Sequence, residues 1–413
     1  MHILFLTDNF PPEVNAPASR THEHCRLWAQ EGHRITVITC APNFPKGRVF
    51  VGYHNRPWQR ERLDGLDVIR VWSYIAANEG FARRILDYLS FMASATVASL
   101  FVRRVDVVVA TSPQFFTACA GWAVGGLKRV PFVFELRDLW PESIKAVGAM
   151  RASVSIRLLE RVEMFLYRHA ARIVSVTQSF RRTLIARGID GDKIDVVTNG
   201  VDIGRFTPRP KDQTLEQQLG LRNCFVAGYV GTHGLAHGLE TLLMAAHLLA
   251  ERDDGRHIRL LLLGDGARKR SLQQTAEELG LSNVLFVDSV SKDEVPRYWS
   301  LLDVSIIHLR RTELFTTVIP SKLFECMGMG IPVIHGVGGE SADIVQREGV
   351  GRIFEPENPQ QLADLLIACA RDPESLARYR QHCLAGARHY DRSELAQKML
   401  GSIVETVRPT GTR

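Results

Sequence analysis

Between residues 316 and 334 the chain reads Thr316-Thr317-Val318-Ile319-Pro320-Ser321-Lys322-Leu323-Phe324-Glu325-Cys326-Met327-Gly328-Met329-Gly330-Ile331-Pro332-Val333-Ile334. Pro320 suits the first turn of a helix, where a missing N–H costs nothing. The donors left unpaired at a helix start, with the positive end of its dipole, attract phosphate. Ser321 lies at that start, and Lys322 adds a point charge beside it. Glu325, one turn on, offers two oxygens to the vicinal hydroxyls of a ribose. Gly330 and Pro332 then end the helix and open the next strand. The chemistry suggested is capture of a nucleoside diphosphate. The alternative is an ordinary surface helix start carrying an incidental lysine and glutamate.

Three glycine-bearing loops point the same way. Gly228-Tyr229-Val230-Gly231-Thr232-His233-Gly234 closes one strand, Leu262-Leu263-Gly264-Asp265-Gly266 closes the next, and Gly336-Val337-Gly338-Gly339-Glu340 reads as a flexible loop on the same edge. Residues without a Cβ let backbone approach a ligand closely, although each loop alone reads equally well as a tight turn. No G-x-x-x-x-G-K-[ST], G-x-S-x-G or H-E-x-x-H pattern occurs. Asp190-Gly191-Asp192 is formally a D-x-D, but it precedes a strand on the edge away from ligands and reads as a polar turn. His22 and His24 read as surface residues of the first helix, and His169 as capping or packing near a helix end.

These residues need a scaffold, and the scaffold is an alternation of strands and helices. In the first half strands fall at 2–6, 34–39, 67–72, 106–110, 131–135, 172–176 and 193–197, with helices at 18–30, 114–128 and 153–170. After Asn199-Gly200 and the Pro208–Pro210 region the alternation starts afresh. Strands then fall at 225–230, 258–263, 284–287, 304–308 and 331–334, with helices at 239–250, 267–279, 292–302, 321–327 and 360–371. Apolar strands alternating with helices predict parallel sheets covered on both faces, with ligands outside the strand C-termini. The expected fold class is therefore α/β, in two domains of about 200 residues each.

Composition excludes other classes. The chain is 45% hydrophobic and 23% charged, with no biased tract. Its seven cysteines are scattered and never form C-x-x-C, as expected of reduced thiols in a cytosolic protein. Residues 1–8 lack the basic segment and cleavage site of a secretory signal and read as a buried strand. Residues 1–200 hold 26 Lys and Arg against 18 Asp and Glu, and residues 201–413 hold 25 against 27. The basic half suggests an anionic partner: a phosphate-bearing substrate, an anionic membrane face or nucleic acid. No nucleic-acid-binding signature accompanies the charge, so no nucleic acid is expected. Residues 85–102 form a largely apolar run between Arg83-Arg84 and Arg103-Arg104. It reads as a covering helix, with a spanning helix and a membrane-surface contact as the alternatives.

Taken in order along the chain, these pieces resemble the GT-B glycosyltransferases of family GT4. They are Thr7-Asp8-Asn9-Phe10-Pro11-Pro12, Gly32-His33, Thr198-Asn199-Gly200-Val201-Asp202 with Phe206 and Pro208, Gly264-Asp265-Gly266, Leu302-Asp303-Val304, the Glu325 segment and Gly338-Gly339. Arg137-Asp138-Leu139-Trp140-Pro141-Glu142-Ser143 and Ile319-Pro320-Ser321-Lys322 look like the N-acetyl-L-fucosamine transferases of O-antigen and capsule assembly.

The resemblance implies two Rossmann-like domains with a cleft between them and a C-terminal helix returning to the first. Residues 1–200 with about 388–413 would bind the acceptor. Residues 201–387 would bind the nucleotide sugar. It also implies retention of anomeric configuration, no metal and no cofactor. Glu325 matches the second glutamate of the family's E-x7-E motif, which serves the donor ribose, while the first falls at Thr317. The family's Arg and Lys in the glycine loop fall at Thr232 and His237, its N-terminal Gly-Gly at Asn15-Ala16-Pro17-Ala18, and its active-site His near Arg137-Asp138. The resemblance thus places Gly231, Thr232, His233, Gly264, Gly266, Thr317, Ser321 and Glu325 at the donor. Lys322, Arg137 and Asp138 fall at the catalytic centre, and Asn15 and Arg20 on the acceptor or phosphate side.

The expected activity is transfer of a sugar, N-acetyl-L-fucosamine by the narrower resemblance, from its UDP derivative to a polyprenyl-diphosphate-linked saccharide. The expected place is the cytoplasm, peripheral on the inner face of the cell membrane. A sugar-nucleotide 2-epimerase of the same architecture and a non-catalytic sugar-nucleotide-binding subunit are the rival readings.

Overall fold

The structure is a computed structural model that describes residues 1–44, 47–75, 81–112, 114–139, 154–291 and 293–407. Two units form: Met1–Thr198 with Arg392–Arg413, and Asn199–Asp391.

In the first unit, strands and helices alternate as β1 (His2–Leu6), α1 (Ala16–Gln30), β2 (Arg34–Cys40), β3 (Trp58–Leu63), β4 (Leu66–Val71), α2 (Phe81–Leu100), β5 (Val107–Thr111), α3 (Phe115–Lys128), β6 (Phe132–Leu136), α4 (Val154–His169), β7 (Arg172–Ser175), α5 (Gln178–Ala186) and β8 (Ile194–Val196). The sheet order is β3-β4-β2-β1-β5-β6-β7-β8. Every pairing is parallel except β3 with β4. That exception corrects the expectation of purely parallel sheets. β3 was absent from the sequence expectation because Trp58-Gln59-Arg60-Glu61-Arg62-Leu63 carries three charges and no apolar run. Its signal was the turn, since Asp64 and Gly65 both take positive φ as a two-residue hairpin requires.

The second unit continues with α6 (Gln213–Gln218), β9 (Phe225–Val230), α7 (Glu240–Ala250), β10 (Ile258–Leu263), α8 (Lys269–Glu278), β11 (Val284–Val287), α9 (Val295–Trp299), β12 (Val304–His308), α10 (Lys322–Met329), β13 (Val333–Gly336), α11 (Glu340–Glu348), β14 (Gly351–Ile353), α12 (Pro359–Arg371) and α13 (Pro373–Ala387). Its sheet, in the order β11-β10-β9-β12-β13-β14, is parallel throughout. The expected flexible loop at 336–340 is shorter than anticipated, because α11 begins at Glu340 with Gly339 as its N-cap.

Helix α14 (Arg392–Val407) packs with the first unit. The buried Trp28 of α1 donates its indole N–H to the Ala396 carbonyl at 2.8 Å, and Met399 and Ile403 join Phe5, Val37 and Val109 in one apolar core. His24 is buried beside Trp28, at 5.8 Å between ring centroids, which corrects its reading as a surface residue. Helix α2 buries Phe91, Ala95 and Ala98 as a covering helix does. No helix among the described residues is long and apolar enough to cross a membrane.

Candidate functional site

In the second unit the ends of β9, β10 and β12 and the start of α10 carry the residues singled out by sequence. Helix α10 begins at Lys322, with Ser321 as N-cap and Pro320 outside it. Its first donors are already engaged: Leu323 N–H donates to the Pro320 carbonyl at 3.0 Å, and Phe324 N–H to that of Ser321 at 3.1 Å. This corrects the picture of a helix start with unpaired donors. A tight turn leads into α10 and uses those N–H groups, so the charge available to an anion is that of Lys322.

The Lys322 ammonium is buried without a hydrogen-bond partner, and Nζ lies 3.6 Å from the centroid of the Tyr229 ring. A cation over an aromatic face gains from the ring quadrupole but keeps its donors unspent. Tyr229 is held in place by its hydroxyl, which donates to the Thr232 carbonyl at 2.8 Å. Gly231 makes room for the ammonium, since a Cβ there would lie 2.9 Å from Nζ. Burial pulls the Lys322 pKa down to about 7. An anion arriving beside it would restore the charged form.

The nearby histidines are neutral. Burial, then Lys269 and Lys322, lower His233 to about 4, and burial with Lys322 lowers His237 to about 3. Neither ring nitrogen of His233 has a hydrogen-bond partner. His308 donates from Nδ1 to the His237 carbonyl at 2.7 Å and accepts the Glu357 N–H on Nε2 at 2.9 Å, which fixes its tautomer. Lys269, not singled out by sequence, is the opposite of Lys322. Its ammonium donates to the Gly264 and Val287 carbonyls and to Asp288, at 2.8, 3.1 and 2.5 Å.

The glycines do a different job from the one expected. Gly264 and Gly266 take φ of +148° and +157°. A Cβ on Gly264 would strike the Gly231 carbonyl, and one on Gly266 the His233 backbone. Their smallness lets the 231–238 and 264–268 loops lie against each other. Backbone bonds from His233 N–H to Asp265 and from Arg268 N–H to His233, both 2.9 Å, then lock them. Gly339, at φ +67°, likewise makes room for Thr316. Thr317 donates its hydroxyl to the Leu314 carbonyl at 2.6 Å, which leaves its oxygen as an acceptor only. Thr232 is exposed, and Glu325 is half-buried one turn into α10.

The first unit places its candidates at the start of α1, which follows β1, and just after β6. Asn15 caps α1, its Oδ1 accepting the Ala18 N–H at 2.9 Å and its Nδ2 donating to Asn9 Oδ1 at 2.5 Å. Arg20 is committed internally. Nε donates to Glu135 at 2.8 Å, and the two terminal nitrogens to the Thr198 and Val197 carbonyls at 2.6 and 3.0 Å. Arg137 keeps a buried Nη1 without a partner, while its backbone N–H and that of Asp138 donate to Ser112 Oγ at 2.7 and 3.2 Å. Burial lowers Arg137 to about 10, so it stays charged at neutral pH. Trp140, Pro141, Glu142 and Ser143 lie outside the described residues. Sequence reasoning did not assign a role to Asp8, whose carboxyl is raised by burial against the pull of Arg137. Among the described residues no group of three or more His, Cys, Asp or Glu is placed to hold a metal ion.

Comparison with known proteins decides what these two units are. Residues 15–200 match a model described as glycosyl transferase 4-like domain, and residues 224–372 one described as glycosyl transferases group 1. The chain is a glycosyltransferase with the GT-B fold. This glycosyltransferase is 24% identical to an Escherichia coli protein named as a colanic acid biosynthesis glycosyl transferase, WcaI, over 80% of the chain and 82% of the relative. Its fold is similar to that of a sucrose-phosphate synthase of Thermosynechococcus elongatus, with a TM-score of 0.77 at 15% identity over 98% of both chains. HepE of Anabaena, solved in complex with UDP-glucose, gives a TM-score of 0.73 at 19% identity over 98% of this chain and 100% of that one.

Proposed function

We propose that this glycosyltransferase transfers a sugar from a UDP derivative to a polyprenyl-diphosphate-linked saccharide, with retention of configuration and without a metal. The observation that carries the donor reading is the Lys322 ammonium, buried over Tyr229 beside Gly231 and lacking a hydrogen-bond partner. A diphosphate placed there would pair with it, and Glu325 would take the ribose hydroxyls one turn further on. Gly231, Thr232 and His233 would border the phosphates and Thr317 the transferred sugar, while Arg137 and Asp138 would serve catalysis and Asn15 and Arg20 the acceptor or phosphate side. The relative named for colanic acid biosynthesis and the neighbour holding UDP-glucose support a nucleotide sugar and a surface polysaccharide. The narrower sequence resemblance supports N-acetyl-L-fucosamine.

The chemistry then needs little acid–base help. The bond from the anomeric carbon to the UDP oxygen breaks, and the acceptor hydroxyl oxygen bonds to the same face. Its proton passes to the departing phosphate. Lys322 stabilises the charge that develops on that phosphate. The protein would work at the inner membrane face, where such acceptors reside.

The test is incubation with UDP-sugars, with and without a lipid-linked saccharide, in the presence of excess chelator. Transfer with retained configuration is expected. Conversion of the donor alone would favour an epimerase, and rescue of a lost rate by magnesium or manganese would overturn metal independence.

A further inference from the structure

Helix α2 has an outward face of the wrong polarity for contact with water. Beyond Arg84 its exposed positions run Leu86, Leu89, Ala93, Val97 and Leu100, spaced by three or four residues, so they form one stripe along the helix. A surface helix presents polar residues there. The inward face is apolar as well, with Phe91, Ala95 and Ala98 fully buried, so α2 has apolar sides both toward the protein and away from it.

The stripe continues onto the hairpin of β3 and β4. Phe101, 70% exposed, sits edge-on against Trp58, with 5.9 Å between ring centroids. Trp58 and Trp72, 42% and 43% exposed, complete a groove of about 360 Å³ with Pro57, Val97 and Phe101, and no charged residue lines it. Arginines frame this surface. Arg83 and Arg84 stand at one end of α2, Arg103 and Arg104 follow Phe101, and Arg56 adjoins Pro57, all exposed. The single charged residue in 85–102 is Asp87, which is half-buried and held up to about 7 by burial and by Asp8.

We propose that the α2 stripe and the Trp58–Trp72–Phe101 groove are the surface by which this protein lies on an anionic lipid bilayer. The proposal rests on the membrane-linked acceptor argued above and names the residues that make the contact. A helix of this length spans about 30 Å and can lie flat with its apolar face at the headgroup boundary. Indole rings favour that boundary, and arginines reach from the apolar surface to lipid phosphates. Charge favours a bilayer over a second copy of the chain, because the basic frames of two copies would repel. Fifteen of the nineteen exposed large apolar side chains among the described residues belong to this unit, the same one that holds the excess of basic residues.

The test is co-sedimentation of the full chain with vesicles of phosphatidylcholine alone and of phosphatidylcholine mixed with phosphatidylglycerol, without donor or acceptor. Binding to the anionic vesicles, weak binding to the neutral ones and quenching of indole fluorescence by brominated lipid are expected. The exposed double variants Val97→Glu with Phe101→Glu, which puts charge into the apolar face, and Arg103→Glu with Arg104→Glu, which reverses part of the basic frame, should each reduce anionic-vesicle binding roughly tenfold or more. Transfer to a short, water-soluble acceptor analogue should be unchanged in both, which shows that they fold. Wild-type indifference to anionic vesicles, or variants that bind like wild type, would overturn the surface while leaving the transferase reading intact. A wild-type dimer that Val97→Glu with Phe101→Glu turns into a monomer would assign the face to self-association and overturn it too. Vesicle binding by a chain that transfers no sugar would support the surface and count against the transferase reading.

Discussion

The two units share a strand–helix alternation but treat buried cations differently. In the first, Arg20 is matched by Glu135 and Arg70 by Glu61, at 2.8 and 2.7 Å, and Arg392 pairs with Glu23. In the second, Lys269 has three oxygen partners, whereas Lys322 has an aromatic ring and no hydrogen-bond acceptor. Leaving a buried cation unpaired is unfavourable unless something arrives to pair with it. Paired cations fit a role in the architecture, and the unpaired one is where we propose that the donor's diphosphate binds. Arg137, with one terminal nitrogen unpartnered, is the first unit's nearest counterpart.

The comparison is broken most sharply at Arg20. Arg20→Ala would strand Glu135, which is buried and held ionised by Arg20 and then Arg137 against its own desolvation. The expected loss of stability is about 3–5 kcal/mol. Urea unfolding should show it, and a variant as stable as wild type would mean that the pair is not architectural. In the second unit, Glu325→Ala should leave stability nearly unchanged and weaken UDP binding by about 1.5–3 kcal/mol, the contribution of hydrogen bonds to a charged group. Calorimetry decides, and unchanged affinity would remove Glu325 from the ribose.

A smaller effect sharpens the donor assignment. Thr317 stands where the resemblance places a carboxylate, and with its proton given to Leu314 it can only accept from a sugar hydroxyl. A donor lacking the C6 hydroxyl loses less at such a site. The 6-deoxy amino-sugar donors should exceed UDP-glucose by about tenfold in kcat/KM, roughly 1.4 kcal/mol. Thr317→Glu should narrow that margin. Equal turnover of UDP-glucose by the unmodified protein would discard the donor while leaving the transferase reading.

Much of the fold was legible because its strands are short apolar runs that need burial on both faces. Phe225–Val230, Ile258–Leu263, Val284–Val287 and Val304–His308 stand where the apolar pattern put them. β3 was not legible that way, because an edge strand bearing Arg60, Glu61 and Arg62 has one face in water. Within the site, the segment from Ile319 to Glu325 announced a cation and a carboxylate at a helix start. Local sequence could not show that Lys322 would rest on Tyr229, or that Arg20 would meet Glu135, 115 residues away. Nor could it tell a glycine that admits a ligand from Gly264, which admits the neighbouring loop. Those are tertiary contacts, set by which strand ends become neighbours in the sheet.

The most direct test of the donor site is UDP affinity as a function of pH. Burial lowers Lys322 to about 7 in the free protein, and a bound diphosphate raises it, so binding takes up a proton above pH 7. UDP affinity should be full below that pH and fall as pH rises from about 7 to 9, approaching tenfold per pH unit where the linkage is complete. Lys322→Ala should bind more weakly at pH 7 and lose this dependence. A wild-type affinity that is flat across the window, or a Lys322→Ala variant that keeps the slope, would contradict the account.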